Sequence, residues 1–357
     1  MTPNFIYRFL KIYCITALHF FFKTWQINNV KSIPATGPII FIPNHQNAFL
    51  DAILVICSCQ RNPWSIARAS VFKEGFVTKI LTTFQIKPVF RVRDGWGSLR
   101  NNDVLIQEWS DMLANGQDIL IFAEGNHNEP YAGGVLQKGF ARMTMQFHQK
   151  HSTPLTIVPV GLHYDDHHGF RSRVLVNFGN PISVNDILDD AHSDREKLET
   201  LVEITDAALK KLALAITPND EYKAKFNFLL KHRRFEKDMN AQLEVDKNTL
   251  KSYPSAPPLR TLKKSSAIWK AINPIVWIGY VLHILPYWYI KRYIKKHIKD
   301  PQWINSLKYA FGIFVVPIYY IILLIVFYLF VPNVLALLAF GVLVPVVGIG
   351  ATDFLKR

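Results

Sequence analysis

Ile39-Ile40-Phe41-Ile42-Pro43-Asn44-His45-Gln46-Asn47-Ala48-Phe49-Leu50-Asp51-Ala52-Ile53-Leu54-Val55-Ile56 carries the first decision about this chain. The opening four residues read as a buried strand, and the stretch from Ala52 reads as an apolar helix. A strand that passes into a helix through a short polar turn is the unit of an α/β fold. That turn holds His45 and, six positions on, Asp51. An imidazole can take a proton from an alcohol near neutral pH, and a carboxylate can fix its tautomer and steady the imidazolium. Alone, such a pair is as readily a turn residue and a helix cap. Reading it as chemistry depends on what lies further along.

Outward from the turn, apolar runs at 39–43, 85–90, 118–123, 155–161 and 174–178 alternate with helical patterns at 51–59, 71–84, 103–114 and 136–149. The pattern predicts an α/β domain with a mostly buried central sheet flanked by helices. Three more clusters fall at strand ends. Lys87-Pro88-Val89-Phe90-Arg91-Val92-Arg93-Asp94-Gly95 offers planar guanidinium forks for a phosphate, with Lys73 upstream; a surface pair with Asp94 is the plainer alternative. Phe122-Ala123-Glu124-Gly125-Asn126 sets a carboxylate at the mouth of the sheet, beside a glycine that admits close backbone approach. Val158-Pro159-Val160-Gly161 is a further strand ending in glycine. Ligands of α/β sheets bind at such strand ends. His163-Tyr164-Asp165-Asp166-His167-His168 lacks a spacing tied to a definite coordination geometry and reads as a polar loop. No metal site and no Gly-rich nucleotide loop are expected.

Residues 309–352 hold no Lys, Arg, Asp or Glu over 44 positions, enough for two spans of roughly 20 residues each. The turn Val331-Pro332-Asn333 divides them into transmembrane helices at about 309–330 and 333–353. The net charge of +14 is densest at Lys291, Arg292, Lys295, Lys296, Lys299 and Lys308, just before the first span. Beside a hairpin this marks the cytoplasmic side and disfavours nucleic acid as a partner. Residues 267–290, interrupted by Pro274 and Pro286, read as a re-entrant or surface-lying pair of short helices. At the other end, Ile12 to Phe22 is too short to cross a bilayer and reads as an interfacial helix. The expected organisation is a membrane anchor at 1–29, a domain with a helical extension at 30–250, a linker at 251–264 and a membrane region at 265–357. Three cysteines provide no disulfide framework and no zinc set.

In this order and spacing the four motifs resemble the membrane-bound glycerolipid acyltransferases, the family of lysophosphatidic acid and glycerol-3-phosphate acyltransferases. The resemblance runs over about residues 30–185. It implies an integral membrane O-acyltransferase of phospholipid biosynthesis, acting without a covalent acyl-enzyme and with no bound cofactor. The co-substrate would be acyl-CoA or acyl-acyl carrier protein. It implies His45 and Asp51 as catalytic, Arg91 on the acceptor phosphate with Arg93 and Lys73 as further candidates, and Glu124, Gly125, Asn126, Pro159 and Gly161 at the substrate. The expected acceptor is 1-acylglycerol-3-phosphate, with glycerol-3-phosphate or another lysolipid as alternatives, and the active site would face the cytoplasm. Two departures stand out. Five residues separate His45 from Asp51 where the family usually has four, a spacing shared with a branch among fungal-type glycerol-3-phosphate acyltransferases and related bacterial proteins. The third motif continues Asn126-His127-Asn128 where the family usually has Thr-Arg or x-Ser. A non-catalytic membrane adaptor is the alternative of another class; a hydrolase would need a Gly-x-Ser-x-Gly elbow, which the chain lacks.

Overall fold

The computed structural model describes residues 5–68, 82–89, 97–126, 128–189, 193–255 and 274–355. After helix α1 (Phe5–Phe21) come β1 (Thr24–Asn28), β2 (Ile39–Pro43), α2 (Ala48–Ser58), β3 (Trp64–Arg68) and β4 (Ile86–Val89). They are followed by α3 (Gly97–Ala114), β5 (Ile119–Leu120), α4 (Gly139–Lys150), β6 (Thr156–Tyr164), β7 (Arg173–Phe178) and β8 (Ile182–Ser183). The strands form one sheet in the order β1-β7-β6-β2-β5-β3-β4, with β8 beside β6. β2 is parallel to β5 and β6, and β3 to β4 and β5, whereas β7 and β8 run antiparallel to β6. The fold is thus α/β, with the central strands in the core: every residue of β2 is buried, as is every residue of β6 after Thr156.

The two faces carry separate cores. One packs Ile40, Ile42 and Ile157 against α3 and α4 through Trp109, Leu113, Phe140 and Phe147. The other packs Phe41, Val158, Val160, Leu162 and Tyr164 against α1 and α2 through Leu18, Phe21, Leu50 and Leu54. Period-2 alternation along β6 therefore sends Tyr164 to the α2 face and Gly161 to the opposite one. Arg61 clamps the far end of the sheet, donating to both carboxylate oxygens of Asp118 at 2.8 and 2.6 Å while Asp118 accepts from Ile39 N.

Strand β1 lies inside the 1–29 segment read as an anchor; it pairs with β7 from Thr24 to Asn28 and edges the sheet. Helix α1 is also docked. It buries Tyr7, Leu18 and Phe21 and leaves Phe5, Ile6, Phe9, Ile12 and Phe20 exposed. Its Lys11 Nζ donates to the carbonyls of Cys59 and Arg61 just past the end of α2, where a cation is favoured by the helix dipole.

The helical extension comprises α5 (Val184–Leu188), α6 (Asp194–Leu212), α7 (Tyr222–His232) and α8 (Met239–Lys251). The C-terminal region contains α9 (Pro274–His297), α10 (Ile304–Phe330) and α11 (Val334–Leu355). The last two are the helices long and apolar enough to cross a membrane among the described residues. The expectation of two short helices around 267–290 is corrected: α9 is continuous through Pro286. A proline removes the N–H that would satisfy the carbonyl four residues earlier, here Leu282. Tyr319 of α10 donates its hydroxyl to that carbonyl at 2.7 Å, so the helix does not have to break. Pro317 in α10 exposes Ile313 O in the same way, and Tyr13 of α1 donates to it at 2.5 Å.

Candidate active site

The site forms where β2 and β5 end side by side. Asn44 extends the β2–β6 ladder with its side chain, its Oδ1 accepting from Leu162 N at 2.6 Å and its Nδ2 donating to Leu162 O at 3.1 Å. The backbone then turns into α2 with Ala48 at φ 42°, a left-handed conformation that L-residues rarely adopt. This is how the five-residue spacer is absorbed while Asp51 still faces back toward His45.

Asp51 is fully buried and uses both oxygens. Oδ2 lies 2.9 Å from His45 Nδ1 and accepts from Gln46 N and Asn47 N, each at 2.7 Å. Oδ1 accepts from the Tyr164 hydroxyl at 2.5 Å. Burial, and then the Asp51 charge, push the Tyr164 phenol well above its ordinary range, so it stays a donor. Nδ1 therefore carries the proton toward Asp51, and the lone pair of the neutral imidazole sits on Nε2. The imidazole stacks on Phe122 at 3.9 Å and 23°, which fixes its tilt, and its side chain is 14% exposed.

Glu124 follows β5, whose continuation is held to β2 by Ile121 N donating to Phe41 O at 3.0 Å. Its Oε1 accepts from His45 N at 3.3 Å, its Oε2 faces Asn128 Nδ2, and Asn128 N donates to His45 O at 2.9 Å. Burial pushes the Glu124 carboxyl up to about 8, against the opposing pull of His45 N and Asn128. Gly134 walls this pocket; a Cβ there would strike the Glu124 carboxylate and stand 2.5 Å from Asn128 Nδ2. Behind the turn, Gln46 Oε1 lies 2.6 Å from His167 Nε2, and burial holds His167 far below its ordinary range, hence neutral and donating.

The structure thus brings together His45, Asp51 and Glu124, with half-buried Gly125 and Asn126 in the same turn after β5. Lys73, Arg91 and Arg93 lie outside the described residues, as do His127 and most of the helix expected at 71–84. Strand β4 leaves the described residues at Val89, on the carboxyl edge it shares with β2 and β5. Pro159 and Gly161 are not part of the constellation. A Cβ on Gly161 would collide with the Leu212 carbonyl at the end of α6, so this glycine admits close packing of that helix on the sheet face away from Asp51. Pro159, two residues back on the same face, accepts from Gly179 N at 2.8 Å. Sequence reading missed Tyr164, which it left in a polar loop; His163 and Tyr164 are buried residues of β6. Asn128 and Phe122 belong to a motif that was read, and went unassigned. Among the described residues no group of His, Cys, Asp and Glu side chains is arranged to hold a metal ion.

Residues 25–163, which include His45, Asp51 and Glu124 and stop one residue short of Tyr164, match the protein-family model described as Acyltransferase. Over those residues, under half of its length, the chain is similar to that family. Within the chain, 111 residues are 32% identical to the Saccharomyces cerevisiae protein named Glycerol-3-phosphate O-acyltransferase 1. That alignment takes in 30% of this chain and only 15% of the length of the yeast protein. A similar solved structure is the 1-acyl-sn-glycerophosphate (LPA) acyltransferase PlsC of Thermotoga maritima. The two are 17% identical with a TM-score of 0.39, over 57% of this chain and 80% of that one. The His45–Asp51 turn and the Glu124 turn both fall within the matched residues.

Proposed function

We propose that the chain is a membrane-bound glycerolipid acyltransferase that moves an acyl group from a thioester to a hydroxyl of a phosphorylated glycerol acceptor. The observation that carries the reading is the His45–Asp51 contact at 2.9 Å, with Asp51 buried and held by three further donors. His45 Nε2 takes the proton of the acceptor hydroxyl as its oxygen attacks the thioester carbonyl. The C–O bond forms, the C–S bond breaks, and the imidazolium returns the proton to the departing thiolate. Asp51 holds Nδ1 throughout and stabilises the transient positive charge. Arg91 is the residue assigned to the acceptor phosphate, with Arg93 and Lys73 beside it in that role, while Glu124, Gly125 and Asn126 position the acceptor. No resident cofactor is required; the donor is acyl-CoA or acyl-acyl carrier protein.

The first-choice acceptor is 1-acylglycerol-3-phosphate. Glycerol-3-phosphate is a second reading with its own support, the five-residue spacing and the name of the yeast relative. Supporting a membrane location are α10 and α11, whose exposed apolar side chains include Phe314, Ile321, Ile325, Leu335, Leu338 and Val342. The lysine-rich end of α9 favours an active site on the cytoplasmic side. The same reading divides the chain into an interfacial segment at 1–29, an acyltransferase domain at 30–250, a linker at 251–264 and a membrane region at 265–357.

The test uses detergent-purified protein, a labelled acyl thioester, and 1-acylglycerol-3-phosphate, glycerol-3-phosphate and a lyso-aminolipid as separate acceptors, with His45→Ala alongside. Transfer that depends on His45 supports the proposal and names the acceptor. Folded protein that transfers to none of them refutes it and favours the adaptor, and transfer that persists undiminished in His45→Ala refutes the role given to His45.

A further inference from the structure

Helix α10 has an unusual start for an apolar helix. Its buried residues are Asn305, Ser306 and Tyr309, each carrying a polar group and all in its first two turns. Ser306 is inaccessible, and its hydroxyl sits between two backbone groups of the turn that carries His45. It accepts from Leu50 N at 3.0 Å and donates to Asn47 O at 2.5 Å.

Those two groups are the start of α2. By position Asn47 is the N-cap and Leu50 the third residue of the helix. The third N–H is one that an N-cap side chain ordinarily accepts. Asn47 makes no such bond with its own side chain. The Leu50 N–H instead has the Asn47 carbonyl at 3.1 Å and the Ser306 hydroxyl, which arrives from 256 residues further along the chain.

We propose that Ser306 is a positioning residue for the acyl transfer, an N-cap lent to α2 by the first membrane helix. By clamping Asn47 O and Leu50 N it sets the pitch of the turn, and so the direction of the Gln46 and Asn47 N–H groups that hold Asp51 Oδ2. The same oxygen faces His45 Nδ1. The inference rests on His45 and Asp51 acting as proposed above.

The hairpin does not depend on Ser306 for its attachment. Tyr309 OH donates to Cys14 O at 3.1 Å and Lys308 Nζ to His168 O at 2.6 Å. Arg171 donates to both oxygens of Asp353 at 3.0 and 2.9 Å. Loss of the hydroxyl alone should therefore leave the helices docked and disturb only the turn.

Ser306→Ala, Ser306→Thr and His45→Ala are compared with wild type in the same detergent assay, with kcat and acceptor KM measured separately and thermal unfolding followed in parallel. For Ser306→Ala kcat should fall about tenfold with KM within twofold of wild type. Ser306→Thr, which keeps the hydroxyl, should recover at least half of the wild-type kcat. A kcat within twofold of wild type for Ser306→Ala overturns the proposal, as does a threonine variant no better than alanine. A loss carried by KM, or one matched by a large drop in unfolding temperature, also overturns it, because the hydroxyl would then serve the fold alone. His45→Ala separates the two levels: if it is as active as wild type, the reading of the site fails whatever Ser306 does.

Discussion

Raising the pH should destabilise this protein through Glu124, and Glu124→Gln should remove that part of the response. The carboxyl holds its proton up to about 8 in the folded chain, against an ordinary value of 4.5. The folded state therefore binds one more proton than the unfolded state between those values, and stability falls as pH rises through the window. The contribution is whole below 4.5, the unfolded value, and is lost as pH climbs through about 8. The slope is at most about 1.4 kcal/mol per pH unit, so pH 6 to 8 removes about 2–3 kcal/mol. For a domain of this size that corresponds to about 5–10 °C in unfolding temperature. The protonated form needs an acceptor, which Asn128 supplies when its amide is turned over, an orientation that heavy-atom positions alone leave open. Glutamine copies the neutral shape and keeps an oxygen toward His45 N. The assay is thermal unfolding in detergent at constant ionic strength from pH 5 to 9, read as the difference between variant and wild type. Glu124→Gln should match wild type near pH 6 and exceed it at pH 9. A difference that stays constant with pH refutes the burial argument, and one that favours wild type more at pH 9 reverses its sign.

Tyr164→Phe removes one of four donors to a buried carboxylate and should cost about 1.5–3 kcal/mol of stability, with kcat falling more than acceptor KM rises; unchanged kcat would show that Oδ1 needs no partner. Gly161→Ala drives a methyl into the Leu212 carbonyl, so it should lower the unfolding temperature by several degrees while the acceptor KM of the remaining folded enzyme stays put. A selective rise in KM would restore Gly161 to the substrate site. Tyr319→Phe leaves Leu282 O without its donor in apolar surroundings and should cost about 1–3 kcal/mol; no change in thermal unfolding would mean that α9 bends to satisfy itself.

Local signals carried the central strands and the motif turns. Ile39–Pro43 is apolar throughout and lies in mid-sheet, while 118–123 reads as a strand although only Ile119–Leu120 takes part as one, because the chain turns to present Glu124. Thr24–Asn28 and Trp64–Arg68 escaped because each is only five residues long and lacks a continuous apolar run, and their strand character comes from their pairing with β7, β4 and β5. The continuity of α9 was hidden for a related reason: Pro286 reads as a break until Tyr319 is known to stand beside Leu282 O. The site divides in the same way. His45, Asp51 and Glu124 announce themselves through chemistry within a few residues of a strand end. Tyr164 and Ser306 meet the same turn from 113 residues beyond Asp51 and 256 beyond Leu50, and no short-range pattern records such a meeting.

The closeness of Ser306 to the His45 turn also fixes the kind of solution in which this chemistry would run. The uncharged stretch begins at Tyr309, three residues past Ser306, which on the proposed reading would keep the imidazole near the level where the chain enters lipid. For an amphiphilic acceptor the relevant concentration is then its mole fraction in the surrounding film, not its molarity in the tube. Diluting the acceptor with inert detergent or lipid at fixed total amount should slow turnover, whereas adding more of the same mixture should not. For such an enzyme the bilayer's composition becomes a kinetic variable in its own right.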